Sequence, residues 1–252
     1  MVKQQKSDLI AICTHVFDTV DFDIYFNHMY CVAHWGRDFE LVFVGKSGLT
    51  AATARNRIIE RALEKGCVYA LFLDGDHYIP VETLPYLLAV IKDVDGAMVS
   101  GVVCKKGERF QQVCWRVDDV KGKKQYYQMT LPLDGRLYEV SICPFGCTLI
   151  DLKKLQKLKK PYFRDTCDEE FNDELVNIRS DINICNRFRD VGEKIWVDTR
   201  ILVGHLGVPS IVYPQSSEFF GKLREIEGEL SKLKEGQVGK YFYPNEDRGG
   251  GV

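Results

Sequence analysis

The chain has no CxxC pair among its nine cysteines, almost no net charge, no long hydrophobic run and no internal repeat. An odd cysteine count without paired spacing argues against a zinc ribbon and against a disulfide scaffold. Cys13, Cys67 and Cys185 fall inside apolar patterns, so reduced core thiols in a reducing compartment are expected. Thirty-four Lys and Arg against 36 Asp and Glu leave a formal charge of -2, which supplies no global field for nucleic acid or an anionic membrane. No apolar stretch approaches the roughly 20 residues of a membrane span, and the opening MVKQQKSD lacks the apolar centre of a signal peptide. The expectation is a soluble, non-secreted protein. At 252 residues with 45% apolar composition, the chain can bury a full core, which excludes a disordered or fibrous protein.

What is present is an alternation of short apolar runs with segments of helical period. LIAIC (9–13), FELVFV (39–44), VYALFL (68–73) and residues 97–103 read as buried strands. Between them, 21–35 is long enough for a crossover helix. Thr50 can cap a helix with Ala54, Ile58, Ile59, Ala62 and Leu63 on one face and Gly66 as its left-handed stop. Pro80 opens a helix carrying Leu84, Leu87, Leu88 and Ile91. Residues 104–138 read as a hairpin or loops over the sheet edge, and VSICPFGCTLI (140–150) as a further strand followed by a Lys- and Leu-rich helix ending before Pro161. Residues 164–179 read as a mobile loop. Ser180 then caps a helix with Ile182, Cys185, Phe188 and Val191 on one face, and strands KIWVD and RILVG lead to His205. Past Pro214, Phe219, Phe220, Leu223, Ile226, Leu230 and Leu233 mark an amphipathic helix that packs on its own domain or pairs subunits into a homo-oligomer. The fold class is α/β: a Rossmann-like, doubly wound, mostly parallel sheet in a three-layer α/β/α sandwich, with ligands expected beyond the carboxyl ends of the strands.

The sharpest chemical feature sits at such an end. Asp74 and Asp76, separated by Gly75 where a buried strand leaves the sheet, can both face a hard cation that in turn holds a diphosphate. His205, between Gly204 and Gly207, offers an imidazole suited to Mn²⁺ beside two carboxylates. Asp181, in the first turn of a helix, can accept a proton from a substrate hydroxyl. Each has an ordinary structural reading as well: a capping Asp, a satisfied His, and an Asp stabilising a helix dipole. The Lys-rich run 153–160 reads as a solvated helix face, and Trp35, Trp115, Tyr126 and Tyr127 as core residues before sugar platforms.

Taken in order, ATARNRIIERALEKG, VYALFLDGDHYIP, PFGCTLIDLKKL, PYF, SDINICNRFRDVGEKIWVD and VGHLG resemble a GT-A glycosyltransferase, of the nucleotide-diphospho-sugar transferase type common in bacteria, phages and other viruses, across residues 8–208. The resemblance implies that Asp74 and Asp76 hold Mn²⁺ or Mg²⁺ on the donor diphosphate, with His205 completing the metal site. It implies that Arg55 and Asn56 face the nucleotide, that Gly146 lines the sugar pocket, and that Asp181 is the general base of an inverting reaction. The donor would be a UDP- or GDP-sugar, the acceptor a glycan, lipid or protein, and the compartment the cytoplasm, a host's if the source is a virus. The implied division is a transferase domain over 1–210 and a helical extension over 211–252. Two departures stand out: Ser180-Asp181 where the family often has Glu-Asp, and Gly75 where a further acidic residue often stands. Dehalogenase-type phosphoryl transfer wants Thr or Val soon after DxD on a first strand, whereas Asp76 is followed by His77-Tyr78 on the third. Nucleotidyl transfer wants a Gly-rich basic loop that CTHVFDTVDFD lacks. A binding protein on a decayed transferase fold, or a retaining transferase, remain the alternatives.

Overall fold

The computed structural model describes residues 8–16, 20–106, 111–171, 174–207 and 211–212, without the side chains of 166–178 and 211–212. They belong to the first of two units, Met1–Pro214; the second, Gln215–Val252, lies outside the described residues, and with it the expected amphipathic helix and its pairing of subunits. In chain order the elements are β1 (Leu9–Val16), α1 (Phe22–Trp35), β2 (Glu40–Ser47), α2 (Ala51–Glu64), β3 (Tyr69–Asp74), β4 (His77–Tyr78), α3 (Thr83–Asp93), β5 (Met98–Val103), β6 (Trp115–Val120), β7 (Lys123–Gln128), β8 (Leu137–Val140), β9 (Cys147–Asp151), α4 (Leu152–Leu155), β10 (Thr166–Phe171), β11 (Glu174–Ile178), α5 (Ser180–Asp190), β12 (Ile195–Leu206) and β13 (Ile211–Val212).

Of the strands expected as buried runs, β1, β3 and β5 lie inside a nine-stranded sheet ordered β13-β12-β5-β9-β3-β1-β2, with β4 and β8 also paired to β12. β2 instead ends that order and is buried only at Val44, a correction to the buried strand expected over 39–44. β1 pairs in parallel with β2 and β3, and β12 in parallel with β5. Side chains alternate across a strand, so an unbroken apolar run requires cover on both faces. In β1, Ala11 and Cys13 lie on the face covered by α2, in one buried cluster that also takes in Ile58, Ile59 and Ala62 of α2 and, farther along the same face, Ile184, Cys185 and Phe188 of α5. Ile10 and Ile12 face the other way, toward Cys31, Val32 and Trp35 of α1 and Leu84 to Ile91 of α3. This is the three-layer sandwich the alternation implied, and Gly66 and Gly192, at φ +78 and +79, supply left-handed stops after α2 and α5.

Several local expectations are corrected. Residues 140–150 are not one strand: the chain breaks between β8 and β9 at Pro144, which cannot donate to a ladder, and β9 runs antiparallel between β3 and β5. The Pro144 carbonyl instead accepts from Ser100 Oγ at 3.1 Å and Thr148 Oγ1 at 2.6 Å, which fixes the PFG segment. The Lys-rich helix is the single turn α4, capped by Asp151, and Lys154 is buried against Asp95 and Glu193 instead of solvated. Residues 164–179 contain the β10-β11 hairpin. The two late strands are one, β12, with a register shift between Asp198 and Leu202; there the buried Asp198 carboxylate accepts from the Arg200 amide and guanidinium. α3 starts at Thr83, not Pro80, and Arg179, not Ser180, is the residue before α5. Val191 ends α5 exposed.

The expected hairpin over 104–138 is β6-β7, and Trp35 and Tyr126 are buried, Trp35 Nε1 donating to the Val81 carbonyl. Cys13, Cys67 and Cys185 are buried as expected, and desolvation raises the thiols of Cys31, Cys114 and Cys147 to about 12. No helix among the described residues is long and apolar enough to cross a membrane.

Candidate active site

β3 leaves the sheet at Asp74, turns at Gly75 and Asp76, and continues into β4, which pairs antiparallel with the end of β12. That pairing sets His77 opposite His205, with Tyr78 opposite Gly204, and the Leu206 amide donates to the Asp76 carbonyl at 2.8 Å. The two imidazoles stack with ring centres 4.3 Å apart and planes 20° from parallel. Around this point lies a cleft of about 690 Å³, lined by Arg55, Asp74, Asp76, His77, Lys105, Lys106, Phe145, Gly146, Asp165, Arg179, Ser180, Asp181 and His205 among others.

Asp76 is the hub. Its Oδ2 lies 3.3 Å from His205 Nε2 and 3.7 Å from Lys106 Nζ, and its Oδ1 lies 2.7 Å from His77 Nδ1, the last contact too bent for a hydrogen bond. Burial pushes the Asp76 carboxyl up, but the hydrogen bond with His205 and the nearness of His77 outweigh it and hold the group well below the usual carboxylate range. His205 Nδ1 lies 2.9 Å from the Cys104 carbonyl, which can only accept, so Nδ1 carries a proton. In the neutral ring the Nε2 lone pair then points at the Asp76 carboxylate. Two acceptors in that arrangement need a shared cation, either a proton or a metal ion. Burial lowers His205, yet Asp76 and the Cys104 carbonyl prevail and raise it above its ordinary value.

Asp74 takes a different partner. Its Oδ2 lies 3.6 Å from Arg55 Nη2. Arg55 is buried, not solvated: Nη1 donates to Ser180 Oγ at 3.1 Å, its guanidinium carbon lies 4.3 Å from the centre of the Phe145 ring, and its Nε has no partner. One side chain therefore ties the end of β3, the PFG segment and the start of α5. Ser180, where the family pattern often has an acid, is the acceptor for Arg55, and its amide donates to Asp165 Oδ1 at 2.9 Å. Asp181 follows in the first turn of α5 and reaches the cleft.

The fold thus brings Arg55, Asp74, Asp76, Gly146, Asp181 and His205 to one cleft and leaves Asn56 out of its lining. Asn56 spends its amide on the backbone of Phe163, accepting from its N–H at 3.0 Å and donating to its carbonyl at 2.8 Å. It is a positioning residue for the segment after Pro161. Gly146 lines the cleft by lacking a side chain: a Cβ there would meet His77 Nε2 at 2.4 Å. The residue that sequence reasoning passed over is His77, buried at 5% exposure, whose only signal was its place directly after the triplet.

Residues 37–159, 123 of the 252, match the model of glycosyl transferase family 2. Comparison with curated protein sequences gives no match. Among solved structures, the crystal structure of A197 from STIV aligns over 82% of this chain and 94% of its own, with a TM-score of 0.55 and 16% identity. That identity speaks for the fold alone. The chain is a GT-A-fold protein whose segment 37–159 carries the glycosyl transferase family 2 pattern.

Proposed function

We propose that the protein is a metal-dependent glycosyltransferase, carried by residues 1–210, that moves a sugar from a UDP- or GDP-linked donor to an acceptor hydroxyl on a glycan, lipid or protein, with inversion. The observation that supports this most is the meeting of Asp76, His205 and Asp181 in one cleft from the end of β3, from β12 and from α5. The residues fit a divalent cation, because the His205 lone pair and the Asp76 carboxylate face one another across 3.3 Å. Asp76 and His205 would hold it, with Asp74 on the same cleft wall, and Mn²⁺ or Mg²⁺ bound there supplies charge stabilisation to the leaving diphosphate.

The rest is done by the chain itself. Arg55, braced by Ser180 and Asp74, and Lys105, Lys106 and Arg179 line the cleft with positive charge that suits a diphosphate. Asp181 takes the proton of the acceptor hydroxyl as its oxygen bonds to the anomeric carbon, and the bond from that carbon to the diphosphate oxygen breaks with its electron pair. Gly146 lines the pocket for the sugar with its backbone, the place of its missing side chain being taken by the His77 ring. The buried thiols suit a reducing compartment such as the cytoplasm.

Release of nucleoside diphosphate from a panel of UDP-, GDP- and dTDP-sugars, with and without Mn²⁺, tests the reading. The expected result is metal-dependent release from one donor, lost in Asp76→Asn with a melting temperature within a few degrees of the parent. Asp181→Asn should lower transfer by about 100-fold or more while donor affinity moves by less than about threefold. Silence across the panel, with no Mn²⁺-dependent nucleotide binding, would refute the transfer reading in favour of a binding protein on this fold.

A further inference from the structure

We propose that His77 is a protein ligand of the cation site, so that the centre comprises Asp76, His77 and His205 and takes a manganese-class ion in preference to magnesium or calcium. This deepens the reading above and rests on it for what the ion is for.

Three observations carry the assignment. First, one ligand atom each from Asp76, His77 and His205 lie within 4.8 Å of one another, the only such group among the described residues. Ligand atoms about 2.1 Å from a common ion and at right angles stand about 3 Å apart. The Asp76 carboxylate lies at about that spacing from each ring through a different oxygen, Oδ1 at 2.7 Å from His77 Nδ1 and Oδ2 at 3.3 Å from His205 Nε2. Secondly, His77 Nδ1 is buried with no aligned hydrogen-bond partner. A polar atom orphaned in that way is costly in a folded protein, and a bound ion supplies the missing partner. Thirdly, the second nitrogen of the His205 ring is held as it is in a metal-bound imidazole, and the backbone and ring of His77 are fixed beside it. His205 Nδ1 donates to the Cys104 carbonyl, His28 Nε2 donates to the His77 carbonyl at 2.7 Å, and Gly146 leaves the space the His77 ring occupies.

Asp74, the other half of the triplet, is outside this group and engaged with Arg55. The donor set is therefore one carboxylate and two imidazole nitrogens. Magnesium and calcium are held almost wholly by oxygen, whereas the first-row transition ions, manganese the weakest binder among them, also accept imidazole, so this set discriminates against magnesium and calcium in a way that two carboxylates do not.

The test uses the full chain with Mn²⁺ alone, no donor present. Titration followed by electron paramagnetic resonance gives the affinity, and the nitrogen couplings of the bound ion count the imidazoles. Two nitrogens are expected in the parent and one in His77→Gln, with affinity lowered at least about tenfold in His77→Gln and less than about threefold in Asp74→Asn. Mg²⁺ should displace Mn²⁺ only at an excess of about 100-fold or more. One nitrogen in the parent, undiminished binding by His77→Gln, or Mg²⁺ competing at parity would overturn the assignment. Should His77→Gln fail to fold, the nitrogen count of the parent decides alone. One nitrogen together with metal-dependent donor cleavage removes His77 and leaves the transfer reading standing. Two nitrogens with silence across the donor panel keep His77 and remove the transfer reading.

Discussion

Adding a single methyl group at Gly146 tests the architecture of the site most directly. A Cβ built there meets His77 Nε2 at 2.4 Å, Cε1 at 2.5 Å and Cδ2 at 2.7 Å. Comfortable contact begins near 3.4 Å, so the ring and the methyl group must separate by about 1 Å. Gly146 has little freedom to retreat, because its carbonyl accepts from the Asp74 amide at 3.0 Å and Cys147 already pairs with Leu73 in the sheet. The His77 ring must move instead, and His205 is stacked on its other side with 4.3 Å between centres.

Overpacking of this kind costs about 1–3 kcal/mol. For a unit of this size, that lowers the melting temperature by about 2–10 °C, readable by calorimetry. Displacing a ligand nitrogen by about 1 Å also takes it outside the few tenths of an ångström that coordination tolerates, so Mn²⁺ affinity should fall about tenfold or more. The decisive comparison is a double-mutant cycle. In a His77→Ala background the added methyl group has room, and Gly146→Ala should cost less than about 0.5 kcal/mol. An equal cost in both backgrounds would refute the steric account.

Replacing Arg55 with Lys keeps the charge but loses the fork that reaches both Ser180 and Asp74; a loss of about 2–3 kcal/mol in denaturant unfolding and weaker donor binding are expected, and unchanged unfolding would count against the brace. Asn56→Ala strands the Phe163 N–H and carbonyl, so about 2 kcal/mol of stability should go while donor affinity stays within about threefold; a selective loss of donor affinity would restore Asn56 to the nucleotide site. Burial pushes the Glu193 carboxyl up, but Lys157 and Lys154 prevail and hold it below its ordinary 4.5. A depressed folded value means that its contribution is present above pH 4.5 and fades as pH falls through the lowered value. Glu193→Gln should therefore cost about 1 kcal/mol at pH 7, screened by the solvent around Lys157, and approach the parent in acid; a pH-independent gap would contradict the ion-pair origin.

How much of this was legible in the sequence depends on the range of the cause. β1, β3 and β5 could be read because cover on both faces leaves an uninterrupted apolar run, a local signature. The direction of β9 could not, since its five residues read alike in either sense and only pairing with β3 and β5 fixes them. The β10-β11 hairpin was hidden for the same reason: an acidic, poorly periodic stretch takes its order from backbone pairing. In the Arg-Asn pair of α2, helix geometry explains the division of labour. Successive residues point about 100° apart, so only one of the two can face the cleft, and it is Arg55.

The triplet makes the same point about chemistry. Spacing alone treats Asp74 and Asp76 as equivalent carboxylates, and the structure gives them different companions: a buried guanidinium for one, two imidazoles for the other. An Asp paired with an Arg already has its charge compensated and has less to offer an ion. An Asp facing a histidine lone pair is incompletely satisfied until a cation arrives. On the proposed metal reading, what would decide which carboxylate carries an ion is the β4-β12 ladder, which sets residue 77 against residue 205, and not the two-residue interval in which the motif is written. His77 escaped attention because its significance arises across that ladder, from a partner more than a hundred residues away. The ladder thus sets the residue after the DxD beside both the second aspartate and His205, while the first aspartate turns to Arg55.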